Sequence, residues 1–192
     1  MNMMGLLAAL AVGLALGGCA STASRSEASS SQIYTSAKEG AASVKPIVTM
    51  QRGQNIHIFI ESTSPQVDGK RVPNKFEVVG IEGKRGEPYT IVVAPRCDCL
   101  GFRKWSVYPV ASMLDQNGEP VGTVEQVGPK NRVLRGTFPQ DGVFKLVLIA
   151  DNTEEGTKLG NVAGFIGGVT VFNIAETVHG TGRVEVNFQL QP

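Results

Sequence analysis

Three sets of residues in this chain carry side chains able to do chemistry. Cys97 and Cys99 flank one aspartate in "PRCDCLGF". Asp151, Glu154 and Glu155 gather in "ADNTEEG", behind a strongly apolar stretch. His57 and His179, the two histidines, stand far apart in the sequence. Two thiols this close can form a disulfide, stay as free or intermolecular thiols, or serve a metal or redox centre. Positions i and i+2 of an extended strand share a face about 6.6–6.8 Å apart, at the far limit of bridging, so a local disulfide needs a tight turn. Zinc takes about four ligands, and neither histidine has ligand spacing to the cysteines, so no metal or cofactor is expected. The acidic group could serve glycoside hydrolysis through paired carboxylates. It lacks the alternating oxygen ligands of a Ca²⁺ loop, and a solvated loop after a buried strand explains it with no function at all. A Ser-His-Asp triad can assemble from distant segments, but the chain has no Gly-x-Ser-x-Gly elbow to present a nucleophile. "GNVAGFIGG" lacks the Gly-Lys-Ser/Thr ending of a phosphate cradle. With no catalytic constellation in view, a non-enzymatic role is expected.

The elements that must position these residues are mostly strands. "NIHIFIES" puts Ile56, Ile58 and Ile60 on one face and Asn55, His57, Phe59 and Glu61 on the other. "RVEVNFQL" alternates Val184, Val186, Phe188 and Leu190 with Arg183, Glu185, Asn187 and Gln189. This period of two marks half-buried strands. "KFEVVGI", "YTIVVAP", "KWSVYPVASML", "PVGTVEQV", "RVLRGTF" and "VFKLVLIAD" read as further strands, separated by turn signals such as "SPQVDG", "EGKRGEP", "DQNGEP" and "PQDG". The expectation is an all-β protein, a single β-sandwich domain of about eight strands. The uncharged run "LGNVAGFIGGVTVFNIA", residues 159–175, admits a short membrane span, a hairpin turning at Gly167-Gly168, or an apolar helix or loop packed on the sandwich.

"FRKWSVY" brings aromatic and cationic side chains together. Phe102, Arg103, Trp105 and Tyr108 form a candidate partner patch, since aromatic and Arg residues are favoured interface anchors. Against it, alternation puts Arg103, Trp105 and Val107 on one face and Phe102, Lys104, Ser106 and Tyr108 on the other, and Trp105 also suits a sandwich core. The chain carries 18 Lys and Arg against 17 Asp and Glu, a net charge of +1 with no charge blocks. A nucleic-acid partner, which would require a basic face, is not expected.

The N-terminus fixes the expected location. "GLLAALAVGLALGG" (5–18) is uncharged, too short for a membrane span of about 20 residues and suited to the core of a secretory signal. Leu16-Gly17-Gly18-Cys19 resembles the lipobox of bacterial lipoproteins, although "MNMM" supplies no basic side chain. The resemblance implies a signal peptide over 1–18, cleavage before Cys19, and acylation of that cysteine, with the lipid holding the chain on a membrane. Ala20 rather than Asp at the following position implies the outer membrane, with the domain facing the periplasm. "ASTASRSEASSSQ" then reads as a flexible spacer. The domain plan is signal peptide 1–18, lipidated Cys19 and Ser/Ala-rich linker 19–44, and β-sandwich 45–192.

Read together, "VVGIEG…EPYTIVVAP", "WSVYPVASMLDQNGEPVGTV", "RVLRGTFPQDGVFKLVLIADNTEEG" and "HGTGRVEVNFQL" resemble the maltose operon periplasmic protein family, in that order, over roughly residues 77–190. The resemblance implies an envelope protein linked to sugar uptake, without an assigned enzymatic activity or site residues. The expected function is an outer-membrane lipoprotein whose non-catalytic sandwich binds an envelope protein or glycan. An envelope glycan hydrolase and a structural subunit of a secretion or transport assembly are the alternatives.

Overall fold

The structure, a computed structural model, describes residues 22–23, 32–70, 72–97, 104–128, 130–166 and 169–189. In chain order these hold β1 (Thr22–Ala23), β2 (Ile33–Tyr34), α1 (Ala37–Ser43), β3 (Thr49–Met50), β4 (Asn55–Ile60) and β5 (Gln66–Val67). Next come β6 (Asn74–Gly83), β7 (Pro88–Arg96), β8 (Trp105–Ser106), β9 (Pro109–Leu114), β10 (Thr123–Val127) and β11 (Asn131–Thr137). The chain continues with β12 (Gly142–Ala150), a 3-10 turn (Asn152–Glu154), β13 (Lys158–Ile166), β14 (Val169–Val178) and β15 (Gly182–Phe188). Every one of the eight expected stretches contains a strand, and the fold is all-β and sandwich-like.

Two sheets make the sandwich. One runs β1-β4-β15-β7-β11-β10, the other β2-β5-β6-β12-β9, with β3 pairing parallel to β6. The alternating residues meet between them: Ile56, Ile58, Ile60, Val184, Val186 and Phe188 from the first sheet face Val79, Ile81, Phe144, Leu146 and Leu148 from the second. At one end of this core Phe138 packs against the rings of Tyr89, Phe144 and Phe188. Gly83 makes room for it, since a Cβ there would lie 2.5 Å from the Phe138 ring.

β6 and β12 are apolar on both faces, as "KFEVVGI" and "VFKLVLIA" require, so the second sheet needs cover on its outer side as well. Phe76, Val78 and Val147 point that way and pack with Tyr34, Ala41, Val44 and Val67. Helix α1 supplies this cover. Ser36 caps it by accepting the Glu39 N–H at 3.2 Å, and Glu39 in turn accepts the Thr35 N–H at 2.8 Å and the Thr35 hydroxyl at 2.6 Å. The Thr35 hydroxyl and amide hold the Glu39 carboxyl below its ordinary range. Lys145 of β12 donates its ammonium to the Ala41 carbonyl, fastening the helix to the sheet.

Two expectations change here, and one open choice is resolved. β1, β2 and α1 fall inside the stretch assigned to the linker, 19–44, so the folded body begins well before residue 45. The run 159–175 is a hairpin: β13 and β14 pair antiparallel from Lys158↔Thr177 to Ile166↔Val169, and no helix among the described residues is long and apolar enough to cross a membrane. Trp105 does not join the sandwich core; it lies half-buried in β8, which pairs with β14 in a third sheet.

A chain starting at residue 45 would expose Phe76, Val78 and Val147. Each buried apolar side chain contributes roughly 1.5–3 kcal/mol, so this chain should unfold at markedly lower urea concentration than one starting at residue 32, or aggregate. Equal midpoints would show that α1 contributes no stability.

Candidate functional site

The strand ends opposite the Phe138 cluster converge on Asp151. β12 ends at Ala150, and the Asp151 N–H donates to the Tyr108 carbonyl at 3.0 Å. Asp151 Oδ1 then accepts the Thr153 N–H at 2.9 Å and the Thr153 hydroxyl, capping the 3-10 turn. Glu154 lies in that turn and Glu155 follows it, exposed. Asn152 ties neighbouring loops together: its N–H donates to Asn74 Oδ1 at 2.9 Å and its amide to the Pro73 carbonyl at 3.1 Å. Gly180 approaches so closely that a Cβ there would lie 2.4 Å from Asn152 Oδ1.

Two adjoining hollows open around this corner, of about 460 and 340 Å³, and share Lys70, Asp151 and Thr153 in their walls. The first extends over Asp68, Asn74, Val110 and Ile149. The second extends over Tyr108, Thr157, Leu159 and Val178. Together they make a cleft in which a carboxylate, an ammonium, hydroxyls and an amide alternate with aliphatic walls. Tyr108 contributes to it while the Arg132 guanidinium covers its ring at 4.7 Å from the centroid.

The candidate patch divides. Phe102 and Arg103 lie outside the described residues. Trp105 stacks on His179, ring centroids 5.4 Å apart and planes 27° from parallel, whereas Tyr108 lines the cleft. The expected alternation stops after β8, because Ser106 and Val107 are both fully buried. Next to Trp105 in β8, the Ser106 hydroxyl donates to Glu176 Oε1 at 2.5 Å, and Lys130 forms an ion pair with Glu176 Oε2. His179 instead meets the Thr181 hydroxyl through Nδ1 at 3.1 Å. Ser106 therefore gives its hydrogen bond to a buried carboxylate rather than to an imidazole, and the nucleophile–base pair of a triad is not made there.

His57 is elsewhere, in β4, opposite Glu185 of β15. Its Nδ1 is buried and hydrogen-bonds to nothing among the described residues. Burial alone would raise the Glu185 carboxyl, but a hydrogen bond from Asn55 at 2.8 Å, the Arg96 guanidinium and the nearby His57 hold it below its ordinary range. The two imidazoles thus meet other groups, His57 opposite Glu185 and His179 against Trp105 and Thr181, although Val178 and Gly180 on either side of His179 border the Asp151 corner. Among the described residues no three His, Cys, Asp or Glu side chains group to hold a metal ion. Cys97 directly follows β7 and is disulfide-bonded. Cys99 and Cys19 lie outside the described residues.

Asn152, Asn74, Lys70 and Gly180 escape sequence reasoning because they lie in turns or at a strand end and have no spacing signal. Only the apolar run ending in "ADN" hints that a strand stops at a polar corner. No protein-family model matches the chain, and no curated protein matches its sequence.

Two outcomes follow from these networks. Lys130→Ala leaves the Glu176 carboxylate buried without its cation and should lower unfolding free energy by roughly 3 kcal/mol, measured by urea denaturation at neutral pH. Glu185 binds protons less readily folded than unfolded, so its contribution is present above about pH 4.5 and lost as pH falls through the folded value. Glu185→Gln should therefore be less stable at neutral pH and show a flatter acid limb than the parent. An unchanged acid limb would remove Glu185 as a determinant.

Proposed function

We propose that this chain is an outer-membrane lipoprotein, acylated at Cys19 and facing the periplasm, whose sandwich is a non-catalytic binding module for an envelope glycan. The observation that carries the binding role is the cleft at Asp151. A sugar offers hydroxyls around a ring whose faces are apolar, and the cleft offers Asp151, Lys70 and Thr153 beside Val110, Ile149 and Leu159. The imidazoles of His57 and His179 make their contacts with Glu185 and with Trp105 and Thr181 rather than with Asp151, which favours binding over hydrolysis. The lipobox supports the anchor, and the likeness to the maltose operon periplasmic protein family supports a link to carbohydrate uptake. Anchoring raises the local concentration of the module for any glycan near the membrane.

A second reading, a structural subunit of an envelope assembly, is favoured by β10. All five of its residues are exposed, including Val124 and Val127, and it is the edge strand of its sheet. Exposed edges are ready templates for strand addition.

Calorimetric titration of the folded body with maltoheptaose and with the N-acetylglucosamine–N-acetylmuramic acid disaccharide tests the first reading. Saturable binding to one of them, weakened several-fold by Lys70→Ala, is the expected result. Absence of binding to both, together with an envelope protein that crosslinks to the parent chain and not to a Val124→Lys, Val127→Lys variant, would transfer the function to the β10 edge.

A further inference from the structure

The pairing of β1 sets which end of the sandwich meets the membrane. β1 runs parallel to β4, with Thr22 opposite His57 and Ala23 opposite Ile58. In a parallel pair the residues before Thr22 lead back toward the start of β4, at Asn55 and the Gln51–Gln54 turn. Cys19 is three residues before Thr22, a reach of about 10 Å. Asn55 is two residues before His57, about 7 Å along the strand. β1 thus turns its N-terminal side toward the turn end of β4, and Cys19 is three residues before that side in the sequence.

We propose that the sandwich stands on the bilayer by this end, with the turns Gln51–Gln54 and Lys84–Glu87 against the lipid headgroups and the Asp151 cleft turned away from the membrane. The inference rests on acylation of Cys19. Charge placement at the end agrees with an anionic lipid surface. Its carboxylates are engaged: Glu87 pairs with Arg52 at 3.6 Å, Glu82 accepts the Gln51 amide at 3.0 Å, and Asp141 accepts the Arg85 N–H at 2.7 Å. Lys84 and Arg85 are exposed and form no ion pair among the described residues, which leaves both cations available for phosphate oxygens. The cleft belongs to the opposite end. Lys75 and Asn74, where β6 begins, pair with β5, and Ala150 pairs with Lys75, so Asp68–Lys70 and Asp151 share the end of the sheet far from Gly83. β1 is thus an orienting contact: the lipid holds the protein on the membrane, and two residues of strand pairing choose the face it shows to solvent.

The test places the lipidated full chain in phosphatidylethanolamine–phosphatidylglycerol vesicles containing brominated lipid and reads tryptophan quenching. Gln189→Trp lies beside the Gln51–Gln54 turn, where the Phe188 N–H donates to the Gln54 carbonyl at 2.9 Å; Lys70→Trp lies at the cleft. Each is read as the increment over the parent, whose Trp105 is common to all. Position 189 should be quenched several-fold more than position 70, and the difference should vanish in a Thr22→Pro, Ala23→Pro background that stays in the membrane fraction. Hydrogen exchange of the unsubstituted chain gives the same answer independently of any substitution, with vesicles slowing exchange at 51–54 and 84–87 and not at 68–70 or 151–153. Equal quenching and equal protection at both ends overturn the inference alone. An unacylated Cys19 in the intact mass overturns the lipoprotein reading and this inference with it.

Discussion

The pairing of β6 with β12 is the constraint on which the rest of the molecule depends. Nine consecutive registers, from Gly83↔Gly142 to Lys75↔Ala150, join two strands that are apolar on both faces. Such a pair cannot stand at the surface of a sheet, because each exposed face would leave large apolar area in water. Inward, it is covered by the sheet containing β4, β15 and β7, whose alternation leaves polar residues outside. Outward, it is covered by α1 and Tyr34, which draws the N-terminal segment across the back of the second sheet. The same pair delivers Asp151 and Asn74 side by side, because Ala150 is opposite Lys75. Core, helix docking and cleft corner are consequences of one register.

The sequence makes the strands legible where one face is wet. Ile56, Ile58 and Ile60 alternate with polar neighbours, and so do Val184, Val186 and Phe188; both sets point into the core as the alternation requires. It is silent where order is short. Two-residue strands such as β1, β2 and β8 have no period to detect. α1 is seven residues long and carries only two buried positions, Gly40 and Ala41, so its amphipathic signal is lost among alanine, serine and glycine. Ser36-Ala-Lys-Glu39 is nevertheless a helix-start pattern, and composition alone, read as spacer, hides it. Trp105 illustrates the converse error. Its size suits a core, but it lies half-buried in the third sheet, where its ring stacks on His179.

The candidate site is less legible than the fold because it is assembled from turns and strand ends far apart in the sequence. Asp151 stands out by following an apolar strand, but its carboxylate is spent on capping Thr153, a local role that residue type alone cannot distinguish from catalysis. The residues that hold the corner rigid are an amide and a glycine, Asn152 and Gly180, neither of which looks reactive. A corner held by the Asn152 hydrogen bonds and flanked by Lys70, Asp68 and Asp151 offers a polar ligand both donors and acceptors.

The position of β15 bears on the order of events before the protein functions. It lies between β4 and β7, pairing with both, so the Asn55 amide meets a carboxylate 130 residues later at Glu185. The first sheet therefore has a gap at its centre until residues 182–188 have left the ribosome or a translocation channel. Contacts this distant in sequence form slowly. A polypeptide that cannot close its own centre early leaves β4 and β7 without their shared partner until β15 is available to pair with both.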